Sequence, residues 1–367
     1  MSQNLAGAPS RVRRALVLSS PLALAAPGRA WSQAAVLNVG FVYVSPIGEA
    51  GWTFQHDLGR RAMERALGAR VKTTVVESVP EGADAERVMR DLATQGCKLI
   101  FATSFGYLEP ALKVAADFPD VRFEHCGGYK SAPNLGTYNA RYYEGRYLAG
   151  LAAGQASARG VAGYVAGFPV PEVIQGINAF ALGMRAVNAR AEVHVLWLDT
   201  WFDPARERDA ALALVGRGAD VLTNHSASPA VAQAAEAKGV AFCGYQSDMR
   251  GFAPTTQLTS VVHDWGGYYA RVVEEVLAGR WTNRPVWGGI ADGFIRMAPF
   301  GPRVSAPTAA LVGRREAEIV NGRLRPFAAP LFDRAGRERL HAGALDDAAI
   351  LAMDWFVRGV VGSLPAR

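Results

Sequence analysis

Rings and hydrogen-bonding side chains stand directly after successive apolar runs of this 367-residue chain. Trp52 and Phe54 follow LNVGFVYV, Ser104, Phe105 and Tyr107 follow KLIFAT, and Phe168 and Glu172 follow GYVAG. Trp201 and Phe202 come after HVLWLD, Asn224 and His225 close ADVLTNH, and Gln246 and Asp248 end AFCGYQSD. His263 lies in LTSVVHDW, and Tyr142 opens the helix-like run YYEGRYLAGLAAG. Such a set suits recognition more than bond-making. Flat rings can cover both faces of a planar solute, each adding on the order of 1 kcal/mol beyond burial. Polar edges then select the solute, because a buried donor or acceptor left unpaired costs about 1–3 kcal/mol.

Catalytic fingerprints are missing from the sequence. It has no GxGxxG after a strand, no Walker loop, no GxSxG elbow and no HExxH. The six histidines are scattered and fit no metal-ligand spacing, so neither a metal nor a cofactor is expected. Local roles compete with recognition at single positions. Asp203 before Pro204 reads as a helix N-cap with proline at the first helical position. Glu172 after Pro171 suits a helix N-terminus. An isolated ring such as Phe105 fits lobe packing as well as a ligand face, whereas the paired rings at 52/54 and 201/202 are the stronger ligand candidates.

The elements that must position these residues alternate. From Val36 onward, strand-like runs exchange with helix-length amphipathic segments, the signature of right-handed βαβ units and a mainly parallel sheet. Two such series follow one another, separated by the small-residue-rich helix near 142–158. The fold class expected is therefore α/β, with two doubly wound lobes joined by crossovers. Lobe 1 is expected over 35–158, completed by about 282–325; lobe 2 over 159–260, completed by part of 326–367. Crossovers are expected near 140–160, 258–266 and 290–330, and the stretch DDAAILAMDWFVRGVVG as a closing helix. A ligand belongs in the cleft outside the carboxyl ends of both sets of strands.

Half the residues are hydrophobic and a fifth charged, an ordinary globular composition. Residues 1–34 carry arginines, no acid, an apolar run and then small residues, the order of a cleavable export signal with its cut near Ala34. Without Arg11, Arg13, Arg14 and Arg29 of that segment, the formal charge of +6 falls to +2, which argues against a nucleic-acid partner. Cys97, Cys126 and Cys243 sit in or beside β-like runs, are odd in number and fit no redox or zinc spacing. A periplasmic, monomeric protein without a lipid anchor is expected.

Taken together, GFVYVSPIGEAGWTFQHDLGR, YLAGLAAG, GFPVPEVIQGINAFALGMRAVN, WFDPARERDAALALVGRGADVLTNHSASPA, GYQSDM and LTSVVHDWGGYY resemble the basic membrane protein family. These are substrate-binding proteins of ATP-driven importers, among them purine nucleoside receptors. The resemblance runs from about Val36 to GVVGSLP and implies a class I periplasmic-binding fold. It also implies a purine held between one ring of each lobe and a membrane permease as partner. By position, the rings fall on Phe54 and Phe202, the ribose-binding acid on Gln246 or Asp248, and a family lysine is replaced by His263. These departures point to a free nucleobase rather than a nucleoside, with Trp52 as a pocket wall. The alternatives are another planar or polar solute, such as an amide or sugar, and a nucleoside hydrolase using Asp248, Glu172 or His263.

Overall fold

A computed structural model of the chain describes residues 36–365. The signal segment expected over 1–34 lies outside the described residues. The first series runs β1 (Leu37–Val42), α1 (Trp52–Leu67), β2 (Val71–Val76), α2 (Ala83–Thr94), β3 (Leu99–Ala102), α3 (Leu108–Asp117), β4 (Arg122–Cys126) and β5 (Leu135–Ala140). Helix α4 (Tyr142–Ala156) leads to β6 (Val161–Ala166), α5 (Pro171–Val187), β7 (Glu192–Trp197), α6 (Pro204–Gly216), β8 (Val221–His225), α7 (Ala230–Lys238) and β9 (Ala241–Gln246). The remainder comprises β10 (Gln257–His263), α8 (Gly266–Leu277), β11 (Pro285–Gly288), β12 (Ile295–Met297) and α9 (Ala306–Val320). Then come β13 (Leu331–Phe332), β14 (Glu338–Leu340), α10 (Asp347–Leu351) and β15 (Val360–Val361).

Two sheets result. The first has the order β11-β5-β4-β3-β1-β2 and is parallel throughout. The second has the order β12-β10-β9-β8-β6-β7-β15, with β12 antiparallel to β10 and the other pairings parallel. Helices cover both faces, so strands such as LIFA of β3 are buried along their whole length. That is why they read as unbroken apolar runs.

The link between the sheets depends on close helix packing. A Cβ at Gly150 of α4 would stand 2.2 Å from the Phe180 carbonyl, and one at Gly183 of α5 would stand 2.1 Å from the Tyr147 carbonyl. Glycine at both sites lets the two backbones touch, which explains the small residues of this stretch. The chain crosses between sheets through α4, at Asp264–Trp265 after β10, and at Gly289–Phe294 between β11 and β12.

Two expectations change. Segment 282–325, expected to complete the first lobe, divides, with β11 in the first sheet and β12 in the second, while β10 leaves the second sheet after His263, within the crossover expected at 258–266. The closing helix stops at Leu351. Beyond it the Asn178 amide of α5 donates to the Trp355 carbonyl (2.8 Å) and accepts from the Val357 amide (3.0 Å), satisfying groups a helix would have used. The chain then pairs with β7 as the edge strand β15.

Candidate functional site

The carboxyl ends of both sheets meet around one recess. From the first sheet come Val44 after β1, Trp52 at the start of α1, Ser104 and Phe105 after β3, and Cys126 and Gly127 at the end of β4. The second contributes Val170 and Glu172 at the start of α5, Trp201 after β7, His225, Ser226 and Ala227 at the end of β8, and Gln246 ending β9. The recess is small, about 30 Å³. It adjoins an outer cleft of about 930 Å³ with which it shares Phe105, Gly127, Val170, Glu172 and Trp201.

Trp52 owes its direction to the helix it begins. Gly51, the residue before it, has φ 97° and sits so close to the second sheet that a Cβ would lie 1.9 Å from the Ala227 carbonyl oxygen. Its amide donates to Ser247 Oγ at 2.9 Å. The indole N–H of Trp52 donates to the Thr103 carbonyl at 2.6 Å, and the ring meets His56, one turn on, edge to face at 4.5 Å. Phe54 lies two residues along the same helix, about 200° around it, and lines neither recess nor cleft. Of the two rings, Trp52 is the one on the recess.

The second pair resolves in the same way. Trp201 lines the recess, packs edge-on to Phe168 at 4.8 Å, and sends its indole N–H to Glu81 Oε1 of the first lobe at 3.1 Å. Phe202 lines an adjoining groove with Asp199 and Thr200, which shares Val44 and Trp201 with the recess. The chain bends at Asp199–Trp201, with Asp199 at φ 53°, before Asp203 caps α6 by accepting from Arg206 N. Phe168 lines the outer cleft.

Glu172 is more than a helix-start residue. Its Oε2 accepts from Asn139 Nδ2 of β5 at 2.9 Å, and its Oε1 lies 3.5 Å from His225 Nε2. Burial lowers the His225 pKa despite that carboxylate, and the Arg146 charge pushes the same way. Nδ1 of His225 and Oε1 of Gln246 are buried without partners, and Gln246 holds φ 68°. Strained backbone and unpaired polar atoms at one wall are features of a surface built for a ligand. Ser104 lines the recess and donates to Glu81 Oε1 at 2.6 Å.

Other candidates lie elsewhere. Asp248 is held by Arg250 and by Gln257 Nε2 (2.9 Å) and lines none of these cavities. Asn224 turns its amide to the Ser226 carbonyl (3.0 Å), leaving Ser226 on the recess. Tyr107 is a core residue bonded to the Val79 carbonyl at 2.6 Å. His263 and Tyr142 pack at a tilt, 4.4 Å apart, behind the Trp52 ring, and burial drives the His263 pKa well down. The groups missed in sequence, Glu81, Asn139 and Cys126, carry no motif; Glu81 and Asn139 gain their roles from partners more than 20 residues away, and Cys126 is a wall of the recess.

This geometry is that of a two-lobed solute receptor. The fold is shared with an ABC transporter system solute-binding protein from Aeropyrum pernix K1, at TM-score 0.69 and 20% identity over 80% of this chain and 94% of that one. A solute-binding protein from Conexibacter woesei DSM 14684 gives TM-score 0.65 at 22% identity, covering 79% and 98%. The chain belongs to the PnrA-like family of ABC transporter substrate-binding proteins (Bmp), whose sequence model matches residues 36–323. A purine-binding protein of Brucella abortus (strain 2308) is 48% identical over 330 residues, 90% of this chain and 94% of that protein. A Haloferax volcanii protein described as a candidate ABC transporter glucose-binding protein is 38% identical over 335 residues, covering 91% and 83%.

Proposed function

We propose that this substrate-binding protein is exported, closes its two lobes over a purine nucleobase and delivers it to a membrane permease. The observation that carries the reading is the meeting of Trp52 and Trp201, set by strand ends of different sheets, on one recess beside the Glu172 carboxylate. Indole faces suit a heteroaromatic plane, and Glu172 with its Asn139 and His225 partners suits the N–H edge of such a ring. The similarity to a purine-binding protein supports the same reading. A free base is favoured over a nucleoside, because Asp248 is occupied by Arg250 and His263 lies behind Trp52, leaving neither to bind ribose hydroxyls. The same separation keeps Asp248, Glu172 and His263 from forming a hydrolytic set. Closure is a population shift: contacts to both lobes favour the closed form that a permease would recognise.

Titration calorimetry of ligand-stripped protein with adenine, guanine, hypoxanthine, xanthine, their nucleosides and glucose tests this. Tightest binding is expected for a base. If no purine binds down to weak micromolar affinity, the proposal fails.

A further inference from the structure

Three donors converge on one carboxylate oxygen at the cleft mouth. Glu81, in the turn before α2, accepts at Oε1 from Ser104 Oγ (2.6 Å), from the Gly106 amide (2.8 Å) and from Trp201 Nε1 (3.1 Å). The first two donors belong to the turn after β3, which also carries Phe105. A Cβ at Gly106 would fall 2.3 Å from the Glu81 carboxyl carbon, so glycine is what lets the carboxylate sit on this turn. The third donor comes from the other lobe. Trp201 lies over Gly167, where a Cβ would meet its ring at 2.7 Å, and the same indole lines the recess.

Other bonds also join the lobes, such as Asn139 to Glu172 and Gly51 to Ser247. The Trp201–Glu81 bond differs because its donor is a ring that lines the recess. A ligand that seats this ring also sets the direction of its N–H. We infer that Glu81 is a positioning residue: standing on the outer cleft and not on the recess, it holds Trp201 in its ligand-facing orientation and latches lobe 2 to lobe 1, acting through the indole. The inference rests on the proposed stacking role of Trp201 for its ligand arm, while its lobe-latching arm stands without a ligand.

The test uses the mature protein with adenine and hypoxanthine as probes in stopped-flow tryptophan fluorescence. Glu81→Ala should dissociate either base roughly three- to tenfold faster with association little changed, the worth of one solvent-exposed hydrogen bond. Glu81→Gln keeps an acceptor oxygen and should restore most of the wild-type rate. Trp201→Phe keeps a ring without the N–H, so adding Glu81→Ala to it should produce no further acceleration. An unchanged dissociation rate in Glu81→Ala, or an equal acceleration in the Trp201→Phe background, overturns the latch. A wild-type protein that takes up neither base refutes the purine reading, and the ligand-free arm then decides the latch. In that arm, spin labels at Asp91→Cys on α2 and Arg208→Cys on α6 report lobe separation. Glu81→Ala should shift the distance distribution to longer values, Glu81→Gln should not, and identical distributions in all three proteins overturn the inference.

Discussion

Replacing Trp52 by alanine tests the assignment of the ligand-facing ring, because its neighbour Phe54 makes the opposite prediction. The Trp52 indole is fixed at its N–H by the Thr103 carbonyl and at its face by His56, with His263 and Tyr142 behind it. It therefore meets a ligand as a preorganised surface, at little entropic cost on binding. Loss of stacking costs about 1 kcal/mol, and loss of the apolar area the ring would cover costs a similar amount again. The sum, about 2 kcal/mol, corresponds to roughly 30-fold weaker binding of adenine or hypoxanthine. Trp52→Phe retains a face but loses the Thr103 anchor, and about tenfold or less is expected. Phe54→Ala should change affinity by less than about twofold, since that ring lines neither cavity. Calorimetry on the three variants, with circular dichroism to confirm folding, supplies the comparison. Phe54→Ala weakening binding more than Trp52→Ala would refute the helical-register argument that separates the two rings.

Gly51→Ala places a methyl against the Ala227 carbonyl at a positive φ, so the lobes should fail to close and ligand affinity should fall more than about 100-fold; near-native affinity by calorimetry would show that this approach is not needed. Glu172→Gln retains a carbonyl oxygen for Asn139 but loses the charge, and affinity for a base should drop about tenfold in the same assay. His56 and His125 are held neutral by burial, with pKa values pushed down to about 3 and about 4 from 6.5, so their contribution to stability is present above pH 6.5 and is lost as pH falls through that value towards 4. Denaturant unfolding of a His125→Gln variant should accordingly lose less stability than wild type between pH 7 and 5. Glu124 behaves oppositely: burial raises its pKa from 4.5 to about 7, against the Tyr268 and Trp281 hydrogen bonds, so its contribution is full below pH 4.5 and lost as pH rises through about 7. Glu124→Gln should therefore gain on wild type by up to about 3 kcal/mol between pH 5 and 8, and a pH-independent difference would contradict the assignment.

The layered fold was legible because parallel strands buried on both faces are written as continuous apolar runs, as in LIFA, and because two such series follow one another. Positions of the site residues were legible for the same reason: strand ends mark where a cleft must lie. Directions were not. Whether Trp52 or Phe54 faces the recess depends on α1 beginning at Trp52 rather than a few residues later, and Gly51 sets that start through its contact with Ala227 in the other lobe. Of Trp201 and Phe202 only Trp201 lines the recess, after a bend at Asp199–Trp201 that the sequence does not announce. In both pairs the sequence marked the strand end correctly, and a local backbone decision then chose between the rings.

Contacts across the cleft were hidden more deeply. Glu81 reads as an acidic residue before a helix, and Asn139 as the end of a strand; each gains its role from a partner on the opposite lobe. Those bonds, with Gly51 to Ser247, join side chain or backbone groups that flank the recess. They hold the lobes together whichever solute lies between them, whereas Trp52, Trp201, Glu172 and Gln246 present the surface it would meet. On the proposed reading, closure and selectivity are thus carried by partly overlapping residues on one scaffold, as expected where function is set by a site placed on a common fold. Trp201 and Glu172 belong to both groups. A change at this ring should alter affinity for every solute through closure, and preference among solutes through its face.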